Sequence, residues 1–234
     1  MRKEDFQAAL VKAENLIEQI REQAHELHLS VNQTYGNGLP YGYHLDMVAS
    51  GVCIFGHLVC QEVEDVVPIL FGAYYHDSIE DARLSYNDVR KVADKMMSKE
   101  QALMATEIVY ALTNEKGRSR AERANEKYYA GIRQTPYAPF VKLCDRLANI
   151  TFSCSADPNN NHMKEVYKNE MYHFLESIRP NDDEHLADSR FSVPTEIVER
   201  LAEVLIDDME REEWLLSLQV ENEAHPLDKG RIKI

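Results

Sequence analysis

Apolar residues recur at three- and four-residue steps along most of this 234-residue chain, and this spacing constrains its fold more than any other feature. Residues 5–29 show it clearly, because their apolar positions fall on one face of a helix. The same spacing predicts helices over about 44–59, 66–81, 85–97, 99–112, 119–133, 136–152, 160–178 and 194–220. No stretch alternates apolar and polar residues over the length of a strand. The sequence therefore predicts an all-α fold, a helical bundle, with loops at 30–43 and 181–190.

Charge divides the chain into two parts. The chain has 26 basic and 40 acidic side chains and a formal net charge of −14. Residues 181–234 hold 15 of the acids and 6 of the bases, although they are less than a quarter of the length. We predict one domain over 1–180 and an acidic helical extension over 181–234. The extension packs on the same domain or on another subunit, which leaves a homo-oligomer open.

The composition excludes several classes of partner. The acidic surplus disfavours duplex nucleic acid, since phosphate binding relies on Lys and Arg. No apolar run approaches the ~18 residues of a membrane span. The first ten residues turn acidic where a signal peptide requires an apolar core. We therefore expect a cytoplasmic protein without a membrane partner.

The pair His76-Asp77 stands in an otherwise apolar segment, where an imidazole and a carboxylate are costly to bury without partners. Glu80 and Asp81 follow four residues later, one turn along the predicted helix and on the same face. Three carboxylates this close repel one another, and a divalent cation would relieve the repulsion. A solvated helix end is the alternative interpretation.

Two further residues present the same choice. Asp145 lies in an apolar helical segment, and it is either a metal ligand or half of a structural salt bridge with Lys142 or Arg146. His44 lies at the start of a predicted helix, where a histidine often has no ligand role. Each residue is weak evidence on its own, but the ordered set of His44, His-Asp, Glu-Asp and Asp145 on helices is far more specific.

Three stretches of this set carry a resemblance to a known family. They are Pro40-Tyr41-Gly42-Tyr43-His44, His76-Asp77-Ser78-Ile79-Glu80-Asp81 and Lys142-Leu143-Cys144-Asp145-Arg146-Leu147-Ala148-Asn149-Ile150. In this order they resemble the HD-domain metal-dependent phosphohydrolases, and within them the hydrolase domain of RelA/SpoT-type alarmone enzymes. The resemblance spans roughly residues 25–180. It implies that the domain over 1–180 is an HD-type hydrolase domain and that the chain is similar to the stand-alone small alarmone hydrolases.

The resemblance implies a metal site and a reaction. The metal ligands would be His44, His76, Asp77 and Asp145, a donor set that suits Mn²⁺, with Fe²⁺ or Zn²⁺ as alternatives. Glu80 would orient or deprotonate the attacking water, and Asp81 would pass a proton to the leaving oxygen. The implied substrate is guanosine tetra- or pentaphosphate, (p)ppGpp, from which the 3′-pyrophosphate is released.

The sequence departs from the family on the side that holds the substrate. The family carries an Arg-Lys pair before the first histidine, where this chain has Thr34-Tyr35-Gly36. Tyr35 offers a ring for base stacking, and Asn149 matches a residue that contacts the nucleotide sugar. After the position of Asn149 the family often has an arginine, and this chain has Thr151 at that place, followed by Phe152. A phosphatase acting on a different nucleotide phosphate and a non-catalytic nucleotide-binding HD protein are therefore the alternative functions.

Overall fold

The computed structural model describes residues 1–156 and 161–206. Its helices are α1 (Lys3–Ser30), α2 (Gly42–Phe55), α3 (Val66–Tyr75), α4 (Tyr86–Ala93), α5 (Lys99–Leu112), α6 (Arg120–Arg123), α7 (Glu126–Arg133), α8 (Ala138–Ala156), α9 (Asn161–Ile178), α10 (Asp183–Leu186) and α11 (Thr195–Leu205). Short 3₁₀ turns cover Gly56–Leu58, Val63–Asp65 and Ser189–Phe191. The prediction of an all-α fold is confirmed.

Helices α2, α3 and α8 pack against one another and form the centre of the bundle. Every residue of α3 except Val67 is buried, which agrees with its almost uninterrupted apolar sequence. Helix α1 lies against α2 and α3, and α5 covers another side of α3. Burial of these apolar side chains is the main source of stability, and it fixes where the ends of α2 and α3 and the middle of α8 meet.

The loop predicted over 30–43 contains a small hairpin that the sequence analysis did not predict. Strands β1 (Thr34–Tyr35) and β2 (Leu39–Pro40) pair antiparallel, with Tyr35 opposite Leu39. Gly36 and Gly38 have φ angles of +54° and +97°, in the region where glycine is favoured. Two-residue strands are too short to produce an alternating pattern, so the expectation of no sheet was wrong here.

The helix predicted over 66–81 ends earlier, at Tyr75. Residues 76–81 form turns, in which the amide of Ser78 donates to the carbonyl of Tyr75 and the amide of Asp81 donates to the carbonyl of Asp77. Glu80 and Asp81 therefore do not lie one turn further along α3. The prediction that they share a helical face with His76 and Asp77 was wrong. The histidine and the three carboxylates therefore lie at the end of α3 and in the turn that follows it.

The C-terminal part of the described chain packs on the bundle. The predicted loop 181–190 holds α10 and part of a 3₁₀ turn. Helix α11 packs on α8 and α9, and its predicted apolar face of Ile197, Leu201 and Leu205 is buried. The helix ends at Leu205, because Ile206 has an extended backbone, and residues 207–220 of the predicted helix lie outside the described residues. None of the helices in ranges 1–156 and 161–206 has the length and apolarity that a membrane span requires.

Candidate metal centre

Three of the four predicted metal ligands meet where the central helices cross. His44 is the third residue of α2, His76 directly follows α3, and Asp145 lies in the middle of α8. All three are buried, with 1%, 1% and 7% of their surface exposed. Residues that are 32 and 101 positions from His44 in the chain are therefore brought together by the packing of α2, α3 and α8.

The donor atoms of these residues face one another. The Nε2 atom of His44 lies 3.3 Å from Nε2 of His76 and 3.3 Å from Oδ1 of Asp145. Nε2 of His76 lies 3.8 Å from Oδ1 of Asp145. Ligands bonded to one ion at ~2.1 Å are separated by roughly 3.0–3.4 Å in octahedral or tetrahedral geometry. The three atoms, which all lie within 4.8 Å of one another, therefore fit around a single divalent cation.

Asp77, the fourth predicted ligand, borders this group. Its Oδ2 lies 2.8 Å from Nε2 of His76 and 3.7 Å from Nε2 of His44. The hydroxyl of Tyr41 donates to the same oxygen at 2.5 Å. Burial raises the pKa of Tyr41, so this hydroxyl stays protonated and remains a donor. Asp77 is not among the three residues that form the mutually close set, and its role as a ligand stays a prediction.

The two imidazoles are oriented in different ways. Nδ1 of His76 lies 2.8 Å from the carbonyl oxygen of Ala73, which fixes a proton on Nδ1 and turns Nε2 toward the centre. Nδ1 of His44 is buried and has no hydrogen-bond partner within the described ranges. The His44 ring is instead packed between aromatic side chains. Tyr35 stacks on it at 4.8 Å with an interplanar angle of 26°, and Tyr41 meets it edge-on at 5.4 Å.

Cations hold the carboxylates of the centre in the ionised state. Burial would raise the pKa of Asp145, but Lys142 and then the two histidines hold it well below its usual value. Lys142 donates through Nζ to Oδ2 of Asp145 at 2.8 Å, which leaves Oδ1 facing the imidazoles. Burial would likewise raise the pKa of Asp77, but the neighbouring His76 outweighs this effect and lowers the pKa below its usual value. Two ionised carboxylates beside two imidazoles form a site that attracts a cation.

The carboxylate of Asp77 favours the protonated form of His76. Burial alone would lower the pKa of His76, but the charge and hydrogen bond of Asp77 raise it to about 9. Around neutral pH His76 is then an imidazolium that donates to Asp77. A metal ion has to displace this proton, because only the neutral imidazole is a ligand.

The salt-bridge interpretation of Asp145 is correct in part. The pair with Lys142 exists, and it coexists with the approach of Asp145 to both histidines. Arg146 does not pair with Asp145; it lies 3.3 Å from Glu170, and its guanidinium stands over the rings of Tyr167 and Phe174. Arg146 therefore joins α8 to α9.

The two predicted catalytic carboxylates are held on different sides of the turn. Oε2 of Glu80 accepts from the side-chain amide of Asn114 at 2.7 Å, and Oε1 lies 3.8 Å from Arg123. Oδ2 of Asp81 accepts from Gln33 at 3.1 Å. Burial and then the charge of Asp77 raise the pKa of Asp81 to about 6. Asp81 therefore exchanges a proton near neutral pH, as a general acid requires.

A cavity of about 720 Å³ opens beside Asp145. Glu80, Asn149 and Lys142 are among the residues that line it, together with aromatic residues of α7 and α9. Asn114 and Arg123 also line it, and the sequence analysis missed both. The only signal for Arg123 was a locally basic stretch over 116–123 in an acidic chain.

The two predicted substrate contacts are joined to each other. The Tyr35 hydroxyl donates to Oδ1 of Asn149 at 2.9 Å, and Nδ2 of Asn149 donates to Oδ1 of Asp145 at 2.7 Å. The Tyr35 ring lies on His44 and also packs against Phe152 at 4.5 Å. Both residues thus contact the centre itself, and stacking of Tyr35 on a nucleotide base stays a prediction.

Neither a family model nor a curated protein matches this sequence. Support for a function therefore comes from the ordered motifs and from the geometry of the centre.

Proposed function

We propose that this protein is a metal-dependent phosphohydrolase of small nucleotides, with the 3′-pyrophosphate of a (p)ppGpp-like nucleotide as the leaving group. The observation that supports this most is the buried group of His44, His76 and Asp145, whose donor atoms point at one another beside a cavity. The preferred ion is Mn²⁺, with Fe²⁺ or Zn²⁺ as alternatives that the same donors accept.

The residues present fit such an ion. Two imidazole nitrogens and one carboxylate oxygen lie 3.3–3.8 Å from one another, close to the spacing of ligands on one ion, and Asp77 lies next to both imidazoles. The bound ion would lower the pKa of a coordinated water and neutralise charge on a phosphoryl oxygen. Lys142 and Asn149 keep Asp145 turned toward the histidines throughout.

We propose Glu80 as the base for the attacking water, because it lines the same cavity as Asp145. Asn114 holds Oε2 of Glu80, and Oε1 faces the guanidinium of Arg123 at 3.8 Å. Asp81 is suited to the opposite task, because with a pKa of about 6 it is partly protonated near neutral pH. We assign proton removal from water to Glu80 and proton delivery to the leaving oxygen to Asp81.

The cavity has the size and chemistry for a nucleotide. Its volume of about 720 Å³ lies within the range of small-molecule sites, which is roughly 300–1,000 Å³. Its lining includes Tyr128, Tyr129 and Tyr167, which are 3–8% exposed, and the half-exposed Arg123, whose guanidinium would bind phosphate oxygens. A base and its phosphates can thus be held while one phosphorus atom reaches the centre.

The test is hydrolysis of a nucleotide panel by metal-supplemented protein, with products identified by mass. The panel contains guanosine 3′,5′-bis(diphosphate), nucleoside 3′-, 2′- and 5′-monophosphates, and nucleoside triphosphates. We expect pyrophosphate from the 3′-diphosphate, loss of that activity in His76→Ala and Asp145→Ala, and full activity in the surface variant Lys91→Gln. Release of orthophosphate from a monophosphate, with no product from the 3′-diphosphate, would indicate that the substrate is a different nucleotide phosphate. No product from any substrate, with metal bound, would indicate a non-catalytic nucleotide-binding protein.

A further inference from the structure

We infer that Tyr35 is a positioning residue of the metal centre, which acts on Asp145 through Asn149 and on His44 through ring stacking. The inference rests on the proposed metal centre but not on which nucleotide is hydrolysed. It assigns the hairpin a role at the centre, whereas the sequence analysis predicted that Tyr35 contacts the substrate.

The first observation is a chain of hydrogen bonds with a fixed direction. An ionised carboxylate only accepts, so Asp145 requires the amide nitrogen of Asn149 to face it. Nδ2 of Asn149 accordingly donates to Oδ1 of Asp145 at 2.7 Å and to its carbonyl oxygen at 3.1 Å. The amide oxygen is then turned to the other side, where the Tyr35 hydroxyl donates to it at 2.9 Å. Tyr35 thus completes the partners of the side chain that orients Asp145.

The second observation concerns the other end of the centre. A histidine that binds a metal is normally held by a hydrogen bond on its second nitrogen, as His76 is held by Ala73. His44 has no such partner in the described part of the chain. The flat contact of Tyr35 at 4.8 Å is therefore one of the contacts that fix the plane of the His44 ring. One tyrosine thus supports both a nitrogen ligand and an oxygen ligand.

The third observation is that Tyr35 is itself fixed in place. Its ring packs against Phe152 of α8, three residues beyond Asn149. A Cβ atom on Gly36 would lie 2.3 Å from the Phe152 ring, so the hairpin approaches α8 as closely as glycine allows. Gln33, just before the hairpin, also donates to Asp81. The hairpin is therefore held against the centre on both sides of Tyr35.

The test measures Mn²⁺ affinity in the absence of substrate, by electron paramagnetic resonance of free and bound ion. Loss of a residue that hydrogen-bonds a ligand typically lowers metal affinity about 10–100-fold. We expect this range for Asn149→Ala and a fall of about tenfold or less for Tyr35→Phe, which keeps the ring and removes the hydroxyl. Because Tyr35 acts through Asn149, adding Tyr35→Phe to Asn149→Ala should cause no further loss of affinity.

Tyr43→Phe is the matched control. Tyr43 lies beside the same Phe152 ring, is half exposed, and its hydroxyl has no hydrogen-bond partner in ranges 1–156 and 161–206. This variant should bind Mn²⁺ like the unmodified protein. Thermal unfolding in chelator accompanies each measurement, so that a general loss of stability is separated from a change in affinity. The absorption spectrum of bound Co²⁺ should change in Tyr35→Phe, since it reports ligand geometry.

The possible contrary results are distinct. If Tyr35→Phe leaves Mn²⁺ affinity and the Co²⁺ spectrum unchanged and raises KM for a nucleotide, Tyr35 is a substrate contact and the inference is wrong, while the proposed function stands. Additive losses in the double variant would also overturn it. Failure of the unmodified protein to bind any divalent ion would overturn both proposals. Metal binding without hydrolysis would remove only the proposed function, and the affinities would still decide the role of Tyr35.

Discussion

Replacement of Asp81 by asparagine is expected to stabilise the metal-free protein at neutral pH. Asp81 is partly buried in the turn after α3, and burial and then the charge of Asp77 raise its pKa from 3.8 to about 6. An acid with a raised pKa favours the folded state only while it is protonated. Its contribution to the free energy of unfolding is therefore complete below about pH 4 and is lost as the pH rises through about 6. An asparagine side chain at this position would carry no charge and would avoid this loss.

The magnitude follows from the difference between the two pKa values. A difference of about two pH units corresponds to ~3 kcal/mol for a fully shielded group. Asp81 is partly exposed, and solvent screening reduces the gain to ~1–2 kcal/mol. For a chain of this length, that is roughly 2–8 °C in Tm. The hydrogen bond from Gln33 is retained, since the asparagine side-chain oxygen also accepts.

The assay is thermal unfolding followed by circular dichroism, with chelator present, at several values between pH 4 and pH 8. The Tm of Asp81→Asn should exceed that of the unmodified protein above pH 6, and the two should converge toward pH 4. Glu14→Gln, an exposed carboxylate without an ion pair in the described residues, is the control and should shift Tm little. Equal Tm values at pH 7.5, or a gain that is the same at pH 4, would refute the reasoning.

The remaining predictions concern catalysis, the buried cation and proton release. Glu80→Gln should keep bound metal by elemental analysis and lose about 10²–10⁴-fold in turnover, since its role is on water; full activity would assign Glu80 a structural role. Lys142→Met leaves the Asp145 carboxylate buried without its cation, so the free energy of unfolding measured in urea should fall by ~3 kcal/mol or more. An unchanged urea midpoint would show that the ion pair with Lys142 does not stabilise the protein. Because His76 has a pKa of about 9, the affinity for Mn²⁺ should rise as the pH increases from 7 toward 9, and calorimetry should detect a proton released on binding. An affinity that does not depend on pH would show that Mn²⁺ displaces no proton from His76.

Much of the helical architecture could be predicted from the sequence, because apolar spacing reports the buried face of a helix. Helix α5 begins and ends where the spacing predicted, and the apolar face of α11 is buried as expected. The end of α3 could not be read in this way. His76 and Asp77 continue an apolar helical segment, and the turn over 76–81 is set by hydrogen bonds that leave no pattern in the sequence.

The centre could be predicted only as a set of residue types in order. The approach of His44, His76 and Asp145 follows from the crossing of α2, α3 and α8, which spacing along the chain does not specify. The link from Asn114 to Glu80 and the contact of Tyr35 with His44 depend on the same packing. The resemblance implies a substrate contact for Tyr35, and a tyrosine in a glycine-containing loop gives no sign of what else its ring covers.

The most direct test of the metal centre is anomalous X-ray diffraction from crystals of the protein grown with Mn²⁺. We expect one anomalous peak at ~2.1–2.2 Å from Nε2 of His44, Nε2 of His76 and Oδ1 of Asp145. The peak should be absent from crystals of His76→Ala. A peak elsewhere, or none at this position at saturating Mn²⁺, would contradict the metal centre.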